Sequence, residues 1–551
     1  MGNEVNFDRM KSLFRFSILL IALIALCEIC KSQNSLVKQW DYRFGYNNTD
    51  RIRTVLQTKD GGYILNGESV SPAGGDKTQA SWGGWDYWVV KLDSEGTMQW
   101  NKDFGGTEDD VLYSLQQTKD GGYILGGTTI SGISGDKIQT LVGGTDYWII
   151  KLDSTGNEQW QKDFGGTDND ALTSIGQTKD DGYILGGYSY SGIGGDKSQA
   201  SWGGWDYWII KVDSIGTIEW DKDFGGTAHD VLYSIEQAPD GGYIVGGKSA
   251  SAIGGDKTQN AWGYDDYWIV KLDSTGAKQW DRDYGGTDND FLTSLQQTTD
   301  GGYILGGLSA SGMNGDKSQE SWGSEDYWIV KLDSAGDKQW DRDFGGLSDE
   351  EDFGNVRQTF DGGFLVVGTS YSGIGGDKTE NNLGVENAWI IKTDSLGIKQ
   401  WDMTLFTNGH DEGAFGMQND NGCYVFVSYT DAEIGGYKTQ PSWGGSDYWI
   451  IKFCDTTIAT AVNLTSLSHS NISISPNPFT TSTTITLTNY TTSFNLQLFD
   501  ELGRETPLQY HSMQQGSHTI LNIDRGEMLS GMYFLVVVSG EKREVAKVIV
   551  E

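Results

Sequence analysis

Apolar and polar positions recur along most of this chain with one rhythm. Trp40, Trp100, Trp160, Trp220, Trp280 and Trp340 fall sixty residues apart, and Trp401 follows after sixty-one. A second series, Trp88, Trp148, Trp208, Trp268, Trp328, Trp389 and Trp449, keeps the same spacing. A fixed period of this length marks a solenoid, a propeller or an array. Within each period the pattern predicts four short strands. In the second copy these are "DVLYSLQQT" (Asp110–Thr118), "GYILGG", "DYWIIKLD" and "QWQKDFGG". The first pair is joined by the turn "KDGG" and the last by "STGNE". Asp and Gly suit such turns because they tolerate the left-handed backbone that a hairpin needs.

The third strand decides the fold class. Its centre, Tyr-Trp-Ile-Ile, is apolar at consecutive positions, so both faces of its sheet must be covered. A sandwich strand with one wet face would alternate. Four-stranded sheets covered on both faces by copies of themselves describe an all-β, seven-bladed β-propeller, with an open superhelix as the rival geometry. The chain enters the repeats with a lone fourth-type strand, "KQWDYRFG" (Lys38–Gly45), and leaves after a third-type strand, "DYWIIKFC" (Asp447–Cys454). The N-terminal strand is therefore expected to close the last blade and remove both exposed edges.

The tight turns would lie on one face of such a ring and the long connections between second and third strands on the other. Three features recur on that second face. Loop tryptophans (Trp82, Trp85, Trp202, Trp205, Trp262, Trp322 and Trp443) are candidate platforms for a sugar or peptide. An acidic residue opens each first strand (Asp50, Asp110, Asp170, Asp230, Asp290, Glu351 and Asp411), where a ring of carboxylates is a candidate for Ca²⁺, as is the acidic cluster "SDEEDFG" (Ser348–Gly354), better read as a solvated loop. A "GGDK" turn reads as a glycine turn with an Asp–Lys exterior. Features shared by nearly every copy are better explained by construction: tryptophans covering the neighbouring loop, aspartates bonding their own turn. A unique site should break the symmetry.

Few other features carry chemistry. His229 and His410 have no Cys or His at metal-ligand spacing, and the chain holds five His in all. No Gly-x-Ser-x-Gly elbow, His-Glu-x-x-His or phosphate loop is present. "TKDGGY" is faintly similar to the Asp-box turn of sialidases, without their clustered arginines. An enzyme is not expected, and no cofactor beyond Ca²⁺ is implied. Cys423 and Cys454 fall on adjacent strands of the last copy and are a candidate disulfide.

Charge narrows the partners. Lys and Arg total 40 against 76 Asp and Glu, a net −36, which repels nucleic acid and anionic membranes. At the N-terminus, Lys11 and Arg15 precede the apolar run "FSILLIALIALCEIC", too short to span a bilayer and followed by "KSQNS". Residues 1–32 therefore read as a cleaved export signal, and no later run is long enough for a transmembrane helix. Residues 33–455 are the repeats, and 456–472 a polar linker. Residues 473–551 follow as a small antiparallel β-sandwich.

This last segment resembles the type A C-terminal sorting domain of the type IX secretion system of Bacteroidota. The matching pieces are "SPNPF" (Ser475–Phe479), "LFDELGRE" (Leu498–Glu505), "LSGMYFL" (Leu529–Leu535) and "KVIVE" (Lys547–Glu551). Met528 stands where the pattern often has a smaller or polar residue. The resemblance implies Sec passage into the periplasm and recognition at the outer membrane. A sortase-like peptidase would then act, with surface attachment or release. Pro476, Asn477, Pro478, Gly503, Arg504, Gly531 and Lys547 are the residues it singles out. The repeats also resemble propeller-like repeats of exported proteins from that phylum, whose chemistry is not established. The expectation is an exported, non-enzymatic binding or scaffold protein. The alternatives are a polysaccharide-active hydrolase and a self-associating surface protein.

Overall fold

The computed structural model describes residues 36–455, 472–475, 479–488, 495–500, 505–506, 508, 510–515, 518–526, 528, 531–539 and 542–550. The expected export signal and nearly all of the linker lie outside these. All regular structure described is β, and the chain divides into two compact units between Cys454 and Asp455. No described helix is long and apolar enough to cross a membrane.

The first unit contains seven four-stranded antiparallel sheets. Sheet one is Asp50–Gln57, Tyr63–Ser69, Asp86–Leu92 and Met98–Phe104, paired in chain order. The next five repeat that order. Sheet seven pairs Asp411–Gln418, Tyr424–Thr430 and Asp447–Asp455, and takes Leu36–Phe44 as its outer strand. Third strands are buried at nearly every position, as their unbroken apolar centres demand.

The "DGGYILGG" octet can be followed atom by atom. Asp120 accepts hydrogen bonds from the Thr118 hydroxyl and from Gly122 N at 3.0 Å, and pairs with Lys151 at 3.0 Å. Gly121 has φ 85°, a left-handed turn position that glycine occupies without strain. At Gly127 a Cβ would lie 2.0 Å from the Val111 carbonyl and 2.6 Å from the Tyr87 hydroxyl of the preceding sheet. The second glycine pair therefore admits the neighbouring sheet's tyrosine.

That tyrosine joins the sheets. Tyr87 donates to the Trp148 carbonyl at 3.1 Å, Tyr147 to Trp208 at 2.9 Å, Tyr207 to Trp268 at 3.0 Å and Tyr267 to Trp328 at 2.9 Å. Tyr448, on the last sheet, donates to Trp88 on the first at 3.1 Å. The first strands likewise touch the first strands on both sides in an order that returns to its start. The arrangement of sheets is propeller-like, with the first strands innermost.

Within each sheet the "GDK" lysine is buried, which corrects the expected Asp–Lys exterior. Lys77, Lys137, Lys197, Lys257 and Lys317 form ion pairs with Asp103, Asp163, Asp223, Asp283 and Asp343 on the fourth strands. Isolated charges are too costly to bury, so in these five sheets the fourth-strand aspartate accounts for the lysine's position, whereas the buried Lys378 donates to Asn382 Oδ1 at 2.9 Å and the buried Lys438 to Ser442 Oγ at 2.6 Å.

The second unit contains two four-stranded antiparallel sheets. One is built from Ile472–Ser475, Ser482–Thr488, His518–Asp524 and Tyr510–Gln515. The other is built from Glu505–Thr506, Asn495–Asp500, Gly531–Ser539 and Lys542–Val550. Phe479, Ile485, Leu521, Leu535 and Val548 share one apolar cluster, and Met528 is buried in it.

Candidate functional site

The acidic series at the starts of the first strands does not offer open ligands. Asp50, Asp110, Asp170, Asp230, Asp290 and Asp411 are fully buried. Asp110 accepts from Gly106 N at 2.7 Å and Ser131 Oγ at 3.0 Å, and Asp290 from Gly286 N at 2.7 Å and Ser311 Oγ at 2.9 Å. Burial pushes Asp50, Asp110 and Asp290 up to about 6 and Asp411 up to about 7. In sheet six the position belongs to Glu350, not Glu351: Ser370 Oγ donates to Glu350 at 2.9 Å. Two register shifts in this strand, between Glu350 and Asp352 and between Phe353 and Asn355, displace the sequence numbering. The side chain of Glu351 lies outside the described residues. These acids brace turns.

The tryptophan candidates fall into two sets. Trp82, Trp202 and Trp262 are more than half exposed, yet their indole N–H groups reach Asp136, Asp256 and Asp316 of the following sheet at 2.9, 3.0 and 3.0 Å. Trp322 bonds Asp377 in the same way, and Trp443 stacks on Arg43 at 4.3 Å. The first four span a seam between sheets, whereas Arg43 belongs to the outer strand of Trp443's own sheet. Trp85 and Trp205 instead turn toward the first two strands of their own sheets: Trp85 lies under the Arg51 guanidinium on a first strand at 4.7 Å, and Trp205 meets Tyr188 on a second strand at 4.9 Å.

Symmetry breaks at one register position. Near the starts of the first strands, the cross-strand pairs are Arg51–Glu68, Val111–Thr128, Ala171–Tyr188, Val231–Lys248, Phe291–Leu308, Asp352–Thr369 and Glu412–Tyr429. No two of these pairs are the same, whereas the third strands flanking them are nearly invariant. Arg51 is exposed, stacks on Trp85, and lies 5.8 Å from the Tyr429 ring. Arg53 holds Glu68 through two hydrogen bonds at 3.1 and 2.7 Å and covers Tyr113 at 5.1 Å. Lys248 pairs with Asp265 at 3.1 Å and sits over Phe291 at 4.4 Å. The result is an inner rim of aromatic faces, guanidinium groups and carboxylates.

Beside this rim lies a triad that sequence reading missed. The residue before each third strand lies next to the residue before the following first strand, as in the parallel bridges Thr145–Asn169 and Glu386–His410. Glu386 is fully buried and meets His410 Nδ1 at 3.0 Å. That hydrogen bond raises the His410 pKa. Glu412, two residues further along, accepts the Tyr429 hydroxyl. His410 has no Cys or His companion at metal-ligand spacing; its carboxylate neighbour Glu386 comes from the preceding sheet, 24 residues away.

Cys423 and Cys454 form a disulfide, with Cα atoms 4.3 Å apart. In the second unit, Gly531 pairs with Val550 and Lys547 with Phe534. The Lys547 side chain, and all of Pro476, Asn477, Pro478, Gly503 and Arg504, lie outside the described residues.

No curated protein matches the chain. Among solved structures, it is similar to Sqt1 from Chaetomium thermophilum at 11% identity and TM-score 0.33, covering 76% of this chain and 100% of that one. It is similar to a point mutant of NanB sialidase from Streptococcus pneumoniae at 10% identity and TM-score 0.36, covering 75% and 70%. It is also similar to a glycoside hydrolase family 32 protein from Bifidobacterium adolescentis at 9% identity and TM-score 0.25, covering 92% and 77%. Residues 473–551 match the family of secretion system C-terminal sorting domains. The chain therefore carries, in its second unit, the sorting domain of a protein exported by type IX secretion to the cell surface or beyond.

Proposed function

We propose that this chain is a non-enzymatic glycan-binding protein of the bacterial surface. In this reading the seven sheets are blades of a β-propeller closed by the N-terminal strand, and the sorting unit is a β-sandwich. An export signal at residues 1–32 takes the chain through Sec, and the type IX machinery recognises the folded tail and completes its passage. Ligand binds at the inner rim.

The observation that carries the reading is the broken symmetry at that rim. Arg51 is exposed between Trp85 and Tyr429, with Glu412 beside them. Aromatic faces stack on sugar rings, and guanidinium and carboxylate groups fix hydroxyls by directional hydrogen bonds. Binding without bond cleavage is favoured by how the carboxyls with raised pKa are engaged: Glu68 at the rim is buried and held by Arg53 through two hydrogen bonds. Asp86, Asp146 and Asp411 are inside the sheets, engaged by their own turns.

A glycan array probed with the purified chain tests this. The wild type should bind a defined group of glycans, and Arg51→Ala and Trp85→Ala should each weaken binding about tenfold or more with unchanged circular dichroism. A blank array for the wild type, or undiminished binding by both variants, would refute it.

A further inference from the structure

The Glu386–His410–Glu412 triad has the composition and spacing of a cation site. One oxygen from each carboxylate and one imidazole nitrogen all lie within 4.8 Å of one another. The 3.0 Å between His410 Nδ1 and Glu386 Oε1 is close to the separation of about 3.3 Å between two ligands of one tetrahedral ion with bonds of about 2.0–2.1 Å. A second observation points the same way. Glu386 is wholly buried, and its other oxygen, Oε2, has no hydrogen-bond partner. A buried carboxylate oxygen without a donor is costly, and a bound cation is one way to satisfy it.

The backbone frame is common to all seven junctions, while the side chains are not. The pairs corresponding to Glu386 and His410 are Trp85 with Asp109, Thr145 with Asn169, Trp205 with His229, Asp265 with Asn289, Glu325 with Asp349, and Ser446 with Thr49. Only the junction between sheets six and seven combines a carboxylate with an imidazole. It then adds a carboxylate two residues on, Glu412, at the register position where the other first strands carry Arg51, Val111, Ala171, Val231, Phe291 and, in sheet six, Asp352, which has no imidazole beside it. The donor set is selective as well. Ca²⁺ and Mg²⁺ prefer all-oxygen shells, whereas one imidazole with two carboxylates suits Zn²⁺ and its first-row neighbours.

We propose that Glu386, His410 and Glu412 bind one divalent transition-metal ion, with Zn²⁺ the best fit, at the junction of sheets six and seven. Two carboxylates and one imidazole supply the protein ligands, leaving the remaining coordination open to water or an external ligand. The Tyr429 hydroxyl, donating to Glu412 Oε2, orients that carboxylate from behind. Backbone support comes from Asp431, which accepts from His410 N at 2.9 Å.

The test is calorimetric titration of chelator-stripped full-length chain with Zn²⁺ alone, no glycan being present. The wild type should take up one Zn²⁺ per chain. His410→Ala, at an exposed side chain, should retain the wild-type circular dichroism and bind at least about tenfold more weakly. Glu386→Gln, which keeps the buried shape, should do the same. His229→Ala, at the equivalent place beside Trp205, should bind as the wild type does. Co²⁺ should give a visible d–d spectrum that His410→Ala abolishes. No Zn²⁺ uptake by the wild type, uptake unchanged in His410→Ala, or Ca²⁺ competing as well as Zn²⁺ would each overturn the assignment. Because the readout is the metal itself, its failure is separable from failure of the glycan reading.

Discussion

At the scale of single residues, the most unusual chemistry is a pair of aspartates facing each other between third and fourth strands. Burial and the neighbouring Asp103 push Asp86 up to about 9; burial and Asp163 do the same to Asp146. Asp206 rises to about 8, and Asp283 and Asp343 to about 9, again chiefly from burial. Each pair thus retains a proton that the unfolded chain, with aspartate near 3.9, has released at neutral pH. A folded-state pKa above the unfolded value means the contribution is complete below about pH 4 and is lost as pH rises through 8 to 9. Each such proton steepens the decline by about 1.4 kcal/mol per pH unit between those limits. Sheet six already shows the alternative: Asn387 and Thr404 stand in the two positions, and Asn387 still accepts from Leu383 N at 2.9 Å. Asp146→Asn should therefore fold, and urea denaturation from pH 6 to 10 should show a shallower alkaline loss than the wild type, with a gain at pH 9. Parallel curves would refute the shared proton.

At the scale of the element, third strands and the loops before them use tryptophan in opposite ways. Trp268 is fully buried, packs on Tyr207 at 4.8 Å, and donates to Asp281 at 3.3 Å. Trp262 leaves more than half its surface in water and makes its indole bond to Asp316 at 3.0 Å. Trp268→Ala should cost about 3–5 kcal/mol, and Trp262→Ala only about 0.5–1.5 kcal/mol, in equilibrium denaturation. Equal losses would mean the loop tryptophan is part of the core. The first role is legible in the sequence because Tyr-Trp-Ile-Ile allows no wet face. The second is not, since Asp316 lies 54 residues from Trp262 and no local pattern connects them. The same distance effect hid the partners of the "GDK" lysines, 26 residues away, and the Glu386 neighbour of His410. Periodicity also misplaced one acid: the irregular first strand of sheet six puts Glu350, rather than Glu351, against Ser370. Repeats thus disclose what every sheet needs, and conceal contacts made across a seam or where the count slips.

At the scale of the whole first unit, stability turns on the seam between sheets seven and one. Tyr448 donates to Trp88 there, and Asp420 N to Gln57 Oε1 at 2.7 Å, bonds of the kind made at the other seams. The outer strand, however, arrives from the opposite end of the chain. Its Asp41 accepts from Thr439 N at 2.9 Å and from the Trp449 indole at 3.1 Å. Its Arg43 replaces the usual fourth-strand aspartate and reaches Asp76 of sheet one at 3.2 Å, while stacking on Trp443. The disulfide gives this seam no covalent link, because Cys423 and Cys454 both belong to sheet seven. Two perturbations should therefore separate. Cys423→Ser with Cys454→Ser removes a cross-link of sequence separation 31, worth about 3–4 kcal/mol by loop entropy, and should lower the melting temperature of a chain that remains monomeric. Deleting residues 36–44 strips sheet seven of its outer strand, leaves the Trp449 indole and the Asp76 carboxylate without their partners, and bares a strand edge. That chain should associate in light scattering and lose cooperative unfolding. A monomeric deletion variant with wild-type stability would show that the seam does not depend on the borrowed strand.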